Sequence, residues 1–126
     1  MTDVTGTEIQ VLLFSSDLML ISSAGGAAAA AGFVFRSASS FEDLIAKATP
    51  TTVLCVDLGF AAVDPLLISE QLPTLTACSG IAFGPHVHTA NLAQAREAGF
   101  AKVMSRGQFV SRMIDELKAA AAIYHL

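Results

Sequence analysis

Four short stretches hold residue types from which chemistry is built. Ser15-Ser16-Asp17 follows the apolar run VLLF. Asp57 closes TVLCVD. Gly84-Pro85-His86-Val87-His88 follows IAF, and Ser105-Arg106 follows AKVM. Hydroxyls and carboxylates supply nucleophiles and proton acceptors, a guanidinium clamps anionic oxygens, and imidazoles bind metals. No G-x-S-x-G elbow surrounds Ser15 or Ser16, and no histidine is fixed beside them, so helix capping or pocket lining is expected rather than nucleophilic catalysis. In extended chain His86 and His88 would point the same way, near the end of the Asp57 strand. The sequence fixes no third strong ligand, so no metal is assigned there.

Each of these stretches follows a segment that reads as a strand. Residues 9–14 (IQVLLF) are apolar enough to be buried on both faces. A helix is expected from about Asp17, its N-cap, to a stop near Gly32. Phe33-Val34-Phe35 reads as a second strand. Ser39-Ser40-Phe41-Glu42-Asp43 opens a helix that Pro50 ends. Thr52 to Val56 is the clearest strand and runs into Asp57. Asp64-Pro65 starts the next helix, carrying Leu67, Ile68, Leu72 and Leu75 and bent at Pro73. Ile81 to Phe83 is a strand, Thr89 to Ala98 a helix stopped by Gly99, and Ala101 to Met104 a fifth strand. The last helix, from about Gln108, is expected to bury Val110, Met113, Ile114, Leu117, Ala121 and Tyr124 along one stripe.

Five strand–helix units joined by short connections predict one doubly wound α/β domain over residues 1–126, an open five-stranded parallel sheet with helices on both faces. In such a sheet a site forms outside the carboxyl ends of the strands, near the point where strand order reverses. The four stretches all fall at that edge. No Gly-rich phosphate loop follows the first strand, and Gly25-Gly26 lies too deep in the first helix to act as one, so a dinucleotide site is not expected.

The element order, VLCVDL ending at Asp57, AREAGF before the fifth strand and SRGQF after it together resemble a bacterial response-regulator receiver domain. The resemblance covers nearly the whole chain and implies a flavodoxin-like sheet in the strand order 2-1-3-4-5. It implies an acceptor aspartate at Asp57. It also implies two acidic residues after the first strand that help hold Mg²⁺, a Ser or Thr ending the fourth strand, and a Lys ending the fifth. A carboxylate attacks an anion only where a metal and a cation screen the charge. Here Ser15 and Ser16 stand at the acidic pair, Gly84 at the hydroxyl, and Arg106 (or Ser105 one residue earlier) at the lysine. Gly107 replaces the proline that usually follows it. Neutral hydroxyls are weak ligands for a hard cation, and Arg is not equivalent to Lys. Asp17 remains as one carboxylate, and an Arg106–Asp57 ion pair is expected to mimic a fixed charge state. The resemblance is therefore to a degenerate, or pseudo-, receiver.

Composition narrows the function. Of the 126 residues 53% are hydrophobic and 14% charged, which excludes disorder. Seven Lys+Arg against eleven Asp+Glu leave a net charge of -4 and no basic patch for nucleic acid. Cys55 and Cys78 both read as reduced core residues, which suits a cytoplasmic protein. The uncharged stretch from Leu18 to Phe35 is long enough to raise a membrane span. Its glycines, its weakly apolar Ala and Ser and the lack of a basic leader argue for a soluble helix instead. That helix is either simply alanine-rich or, with its small uncharged face, a homodimer contact.

The expected function is a non-catalytic signalling or protein-interaction module that acts on another signalling protein without phosphorylation and without a cofactor. The sequence ends with the fifth helix, which leaves no room for an output domain. One alternative is a working two-component receiver that takes a phosphoryl group from a histidine kinase on Asp57, with Mg²⁺ as cofactor. The other is a flavodoxin-like small-molecule binder using the same strand-end pocket.

Overall fold

The computed structural model describes residues 8–124; the expected domain limits at residues 1–7 and 125–126 lie outside the described residues. Five parallel strands form one sheet: β1 (Gln10–Phe14), β2 (Val34–Ala38), β3 (Thr52–Asp57), β4 (Ile81–Gly84) and β5 (Lys102–Ser105). Their order is β2-β1-β3-β4-β5, as the receiver resemblance implies. Every residue of β1, β3 and β4 is buried, because each strand is covered by helices on both faces.

Side chains alternate across the sheet with a period of two. Val11, Leu13, Val53, Cys55, Ile81 and Phe83 point to one face. They pack on α1 (Leu18–Ala30), α6 (Arg106–Ser111) and α7 (Met113–Ala121), which is followed by a 3-10 turn at Ala122–Tyr124. Leu12, Phe14, Leu54, Val56 and Ala82 point to the other. There they meet α2 (Phe41–Lys47), α3 (Pro65–Gln71), α4 (Pro73–Ser79) and α5 (Thr89–Glu97).

Local chemistry sets the helix ends. The Asp17 carboxylate accepts from the Leu20 N–H and caps α1; Ser40 and Asp64 do the same for α2 and α3. At the far end of α1, Gly32 sits at φ +85. The N–H groups of Gly32 and Phe33 bond back to the carbonyls of Ala29 and Ala28, a stop that a Cβ at residue 32 would strain. α1 is 13 residues long. No helix among the described residues is long and apolar enough to cross a membrane.

Four expectations need correction. β2 begins at Val34 rather than Phe33 and runs on to Ala38, since an edge strand tolerates the polar Arg36 and Ser37. The helix expected over Pro65 to Leu75 is not bent but broken. Leu72 leaves helical geometry, and Pro73 lacks the N–H that would continue the ladder, so α4 restarts there. The last helix also breaks, at Arg112 (φ -128, ψ 28), and starts two residues early because the Ser105 hydroxyl caps it. The break resets the helical phase. Phe109 turns inward and stacks on Phe83 at 4.2 Å, while Val110 and Ile114 stay 47% and 40% exposed. Finally, Cys55 is in the core but Cys78 is exposed on α4. Burial pushes the Cys55 thiol up to about 12.

A carboxylate and guanidinium cluster at the strand ends

Strand order reverses on either side of β1, so the crevice lies between the carboxyl ends of β1 and β3. Ser15, the first residue after β1, is 1% exposed and donates its hydroxyl proton to Asp57 Oδ2 over 2.7 Å. Ser16 alternates outward and is exposed. Asp57 is 4% exposed. Its Oδ1 accepts from the Gly59 N–H at 2.9 Å, an Asx-type turn after the strand. The Asp17 N–H in turn donates to Ser15 Oγ at 3.1 Å.

Arg106 enters this cluster from β5 and α6, 89 residues along the chain from Asp17. Its two terminal nitrogens divide. Nη2 donates to Asp17 Oδ2, and Nη1 lies 3.8 Å from Asp57 Oδ2. The expected Arg106–Asp57 pair is thus present but is the longer of two contacts. Asp17 serves twice, as the cap of α1 through Oδ1 and as the partner of Arg106 through Oδ2. The Leu20 N–H first, and the Arg106 guanidinium second, hold the Asp17 carboxyl below its usual range.

The other expected positions play different parts. Ser105 lies opposite Gly84 in the β4–β5 register, but its hydroxyl accepts from the Gln108 N–H and is used in capping α6. A Cβ at Gly84 would meet Leu58 Cβ at 3.1 Å. The missing hydroxyl is therefore matched by a bulky neighbour that crowds its place. His86 and His88 are exposed, and Pro85 to His88 form a turn closed by His88 N–H to the Pro85 carbonyl, not the extended geometry that would align two rings. No group of three or more metal-ligating side chains occurs among the described residues.

The residues present do not suit the Mg²⁺ that the receiver resemblance implies. A hard divalent cation needs open, charged oxygen ligands. Each of the four carboxylate oxygens of Asp17 and Asp57 already meets a donor within the chain, and the neighbouring hydroxyl of Ser15 is neutral. Sequence reasoning missed the Gly59 N–H and the Leu58 side chain. The dipeptide Leu58-Gly59 after a strand-ending aspartate was the available signal for a tight Asx turn.

No protein-family model and no curated protein matches the sequence. The fold is that of response-regulator receiver domains. The signal receiver domain of an HD domain-containing protein from Pseudomonas fluorescens superposes with a TM-score of 0.76 at 16% identity, covering 99% of this chain and 94% of that one. A two-component response regulator from Clostridium difficile gives 0.76 at 12%, covering 94% and 100%. The beryllofluoride-activated NtrC4 receiver domain dimer gives 0.73 at 18%, covering 91% and 98%.

Proposed function

We propose that this chain is a receiver-type signalling module that works by protein contact, with its strand-end carboxylates held by Arg106 rather than by phosphorylation chemistry. It is read as a non-catalytic, cytoplasmic module whose target is another signalling protein. The observation that carries the reading is the guanidinium set between Asp17 and Asp57 while Ser15 occupies an Asp57 oxygen. A phosphoryl group arriving at Asp57 meets a carboxylate each of whose oxygens already accepts one hydrogen bond, with the Arg106 guanidinium as the cation beside it. The test is intact mass after incubation with acetyl phosphate and Mg²⁺, read cold and quickly, beside Asp57→Asn. No added phosphoryl group is expected. One added group, absent from Asp57→Asn, would instead make this a functioning receiver; the place of Asp57 at the carboxyl end of β3, beside the switch point, favours that second reading.

Self-association through α1 belongs to the same proposal. Leu20, Ala24, Ala27 and Ala28 face the core, which leaves Leu18 and Met19 80% and 83% exposed and a Ser, Gly and Ala surface beyond them. Ser23, Gly26 and Ala27 line one side of a groove of about 550 Å³, with Val110 and Ile114 on the other. Small side chains let a second helix approach closely, and the uncharged surface costs little to desolvate. The beryllofluoride-activated NtrC4 receiver domain, of the same fold, is a dimer. Sedimentation equilibrium is expected to show a dimer that Gly26→Arg converts to monomer. A native chain that stays monomeric at high concentration counts against this contact.

A further inference from the structure

We propose that Arg106 is the resident cation of the strand-end carboxylate pair, so that its guanidinium and a divalent metal ion are mutually exclusive there. The inference rests on the reading that this cluster is the module's signalling site, and extends it to how the site is kept closed.

With serine at positions 15 and 16, the cluster holds two carboxylates, Asp17 and Asp57, and one guanidinium. Among the described residues, Arg106 is the one cation in contact with both carboxylates. Its planar fork presents separate N–H groups, so Nη2 can face Asp17 while Nη1 faces Asp57; a lysine ammonium has no such span. The acids are not otherwise idle. The Leu20 N–H holds Asp17 Oδ1, and the Gly59 N–H and Ser15 hydroxyl hold Asp57 Oδ1 and Oδ2. A divalent cation entering between them would have to displace the Arg106 contacts or sit beside a like charge, next to oxygens that each already accept one bond.

Position adds a mechanical consequence. Asp17 caps α1, and Arg106 is the first residue of α6. The ion pair therefore ties the start of α1 to the β5–α6 junction across the crevice. Where a metal-dependent site gains that tie on binding its ion, this chain carries it within its own sequence.

The test uses Mg²⁺ alone as probe, followed through backbone amide resonances. In the native chain, millimolar Mg²⁺ is expected to leave the amides of Ser15 to Asp17, Gly59 and Arg106 unmoved. In Arg106→Ala the same amides should shift saturably, with binding on the order of tenfold tighter or more, as expected from removing a like charge at contact distance. Adding Asp57→Asn should abolish that gain. A saturable shift in the native chain overturns the proposal, and so does an Arg106→Ala chain that keeps the native spectrum yet ignores Mg²⁺. Should Arg106→Ala not fold, Arg106→Gln takes its place, and the native titration still decides. The two readings fail separately. Mg²⁺ binding to the native chain without phosphoryl transfer sinks only the resident cation; a phosphoryl group gained on Asp57 sinks the function proposed above.

Discussion

Both ends of the sheet bury polar side chains, but by opposite means. At the amino end the network around Thr52 is neutral, and the Lys102–Glu116 pair at the start of β5 stands apart from it. Thr52, fully buried, accepts from the Gln10 amide at 3.0 Å and the Thr49 N–H at 2.9 Å. Its carbonyl takes the Ser79 and Tyr124 hydroxyls at 2.7 and 2.6 Å. Neutral donors meet neutral acceptors, and nothing in that network changes charge near neutral pH. At the carboxyl end the same job of joining strand to helix is done by Ser15, Asp17, Asp57 and Arg106. Buried charge is costly to leave unpaired, so that end is specified more tightly and is more open to disturbance. One end fastens the fold; the other is where a partner, an ion or a proton can act.

Deleting one hydroxyl from each end should expose that asymmetry. Ser15→Ala removes the donor to an Asp57 oxygen and also the acceptor of the Asp17 N–H. Hydrogen bonds to charged groups are worth roughly 1.5–3 kcal/mol, so a loss of about 2 kcal/mol is expected in urea unfolding at neutral pH. Tyr124→Phe removes a neutral bond from a half-buried ring and should cost about 1 kcal/mol. Equal losses would mean that the charge on Asp57 adds nothing to its bond with Ser15, and the contrast between the two ends would fall.

The sequence made the fold largely legible and the site partly so, for separate reasons. Strands such as VLLF and TVLCVD are apolar on both faces, and only a sheet covered on both sides accommodates that; the strand order came with the receiver resemblance, not from the strands themselves. What stayed hidden depended on exact phase. Residue types alone do not reveal that Arg112 breaks the last helix, which is why Val110 and Ile114 stand out in solvent while Phe109 is buried. The same holds for Cys78, which α4, restarted at Pro73, leaves exposed rather than in the core. At the site, Ser15, Asp17, Asp57 and Arg106 could be foreseen as neighbours, because topology carries all strand ends to one edge. Which acid Arg106 prefers could not, since that turns on where α1 and α6 begin. The cap signal at Asp17 was readable, and its second role as the partner of Arg106 was not.

That double role gives the smallest and most specific of the expected effects. Asp17→Asn keeps a good capping residue, because an Asn side chain also accepts from the N–H groups of the first turn, but it removes the charge facing Arg106. Both partners are about a third exposed, so solvent screens the pair and the change in melting temperature should be modest. Its pH dependence has a definite sign. The folded-state pKa of Asp17 lies below the ordinary value of 3.8, so the carboxylate's contribution is complete above that value and is lost as pH falls through the folded pKa. The melting difference between the native chain and Asp17→Asn should therefore hold steady from neutral pH to about 5 and shrink toward zero in stronger acid. Asp43, whose carboxyl is also held low, chiefly by Lys47, titrates equally in both chains and cancels from the difference. A gap that widens on acidification would mean that the ionised carboxylate at position 17 disfavours the fold, and the ion pair joining α1 to α6 would lose its part in holding the crevice closed.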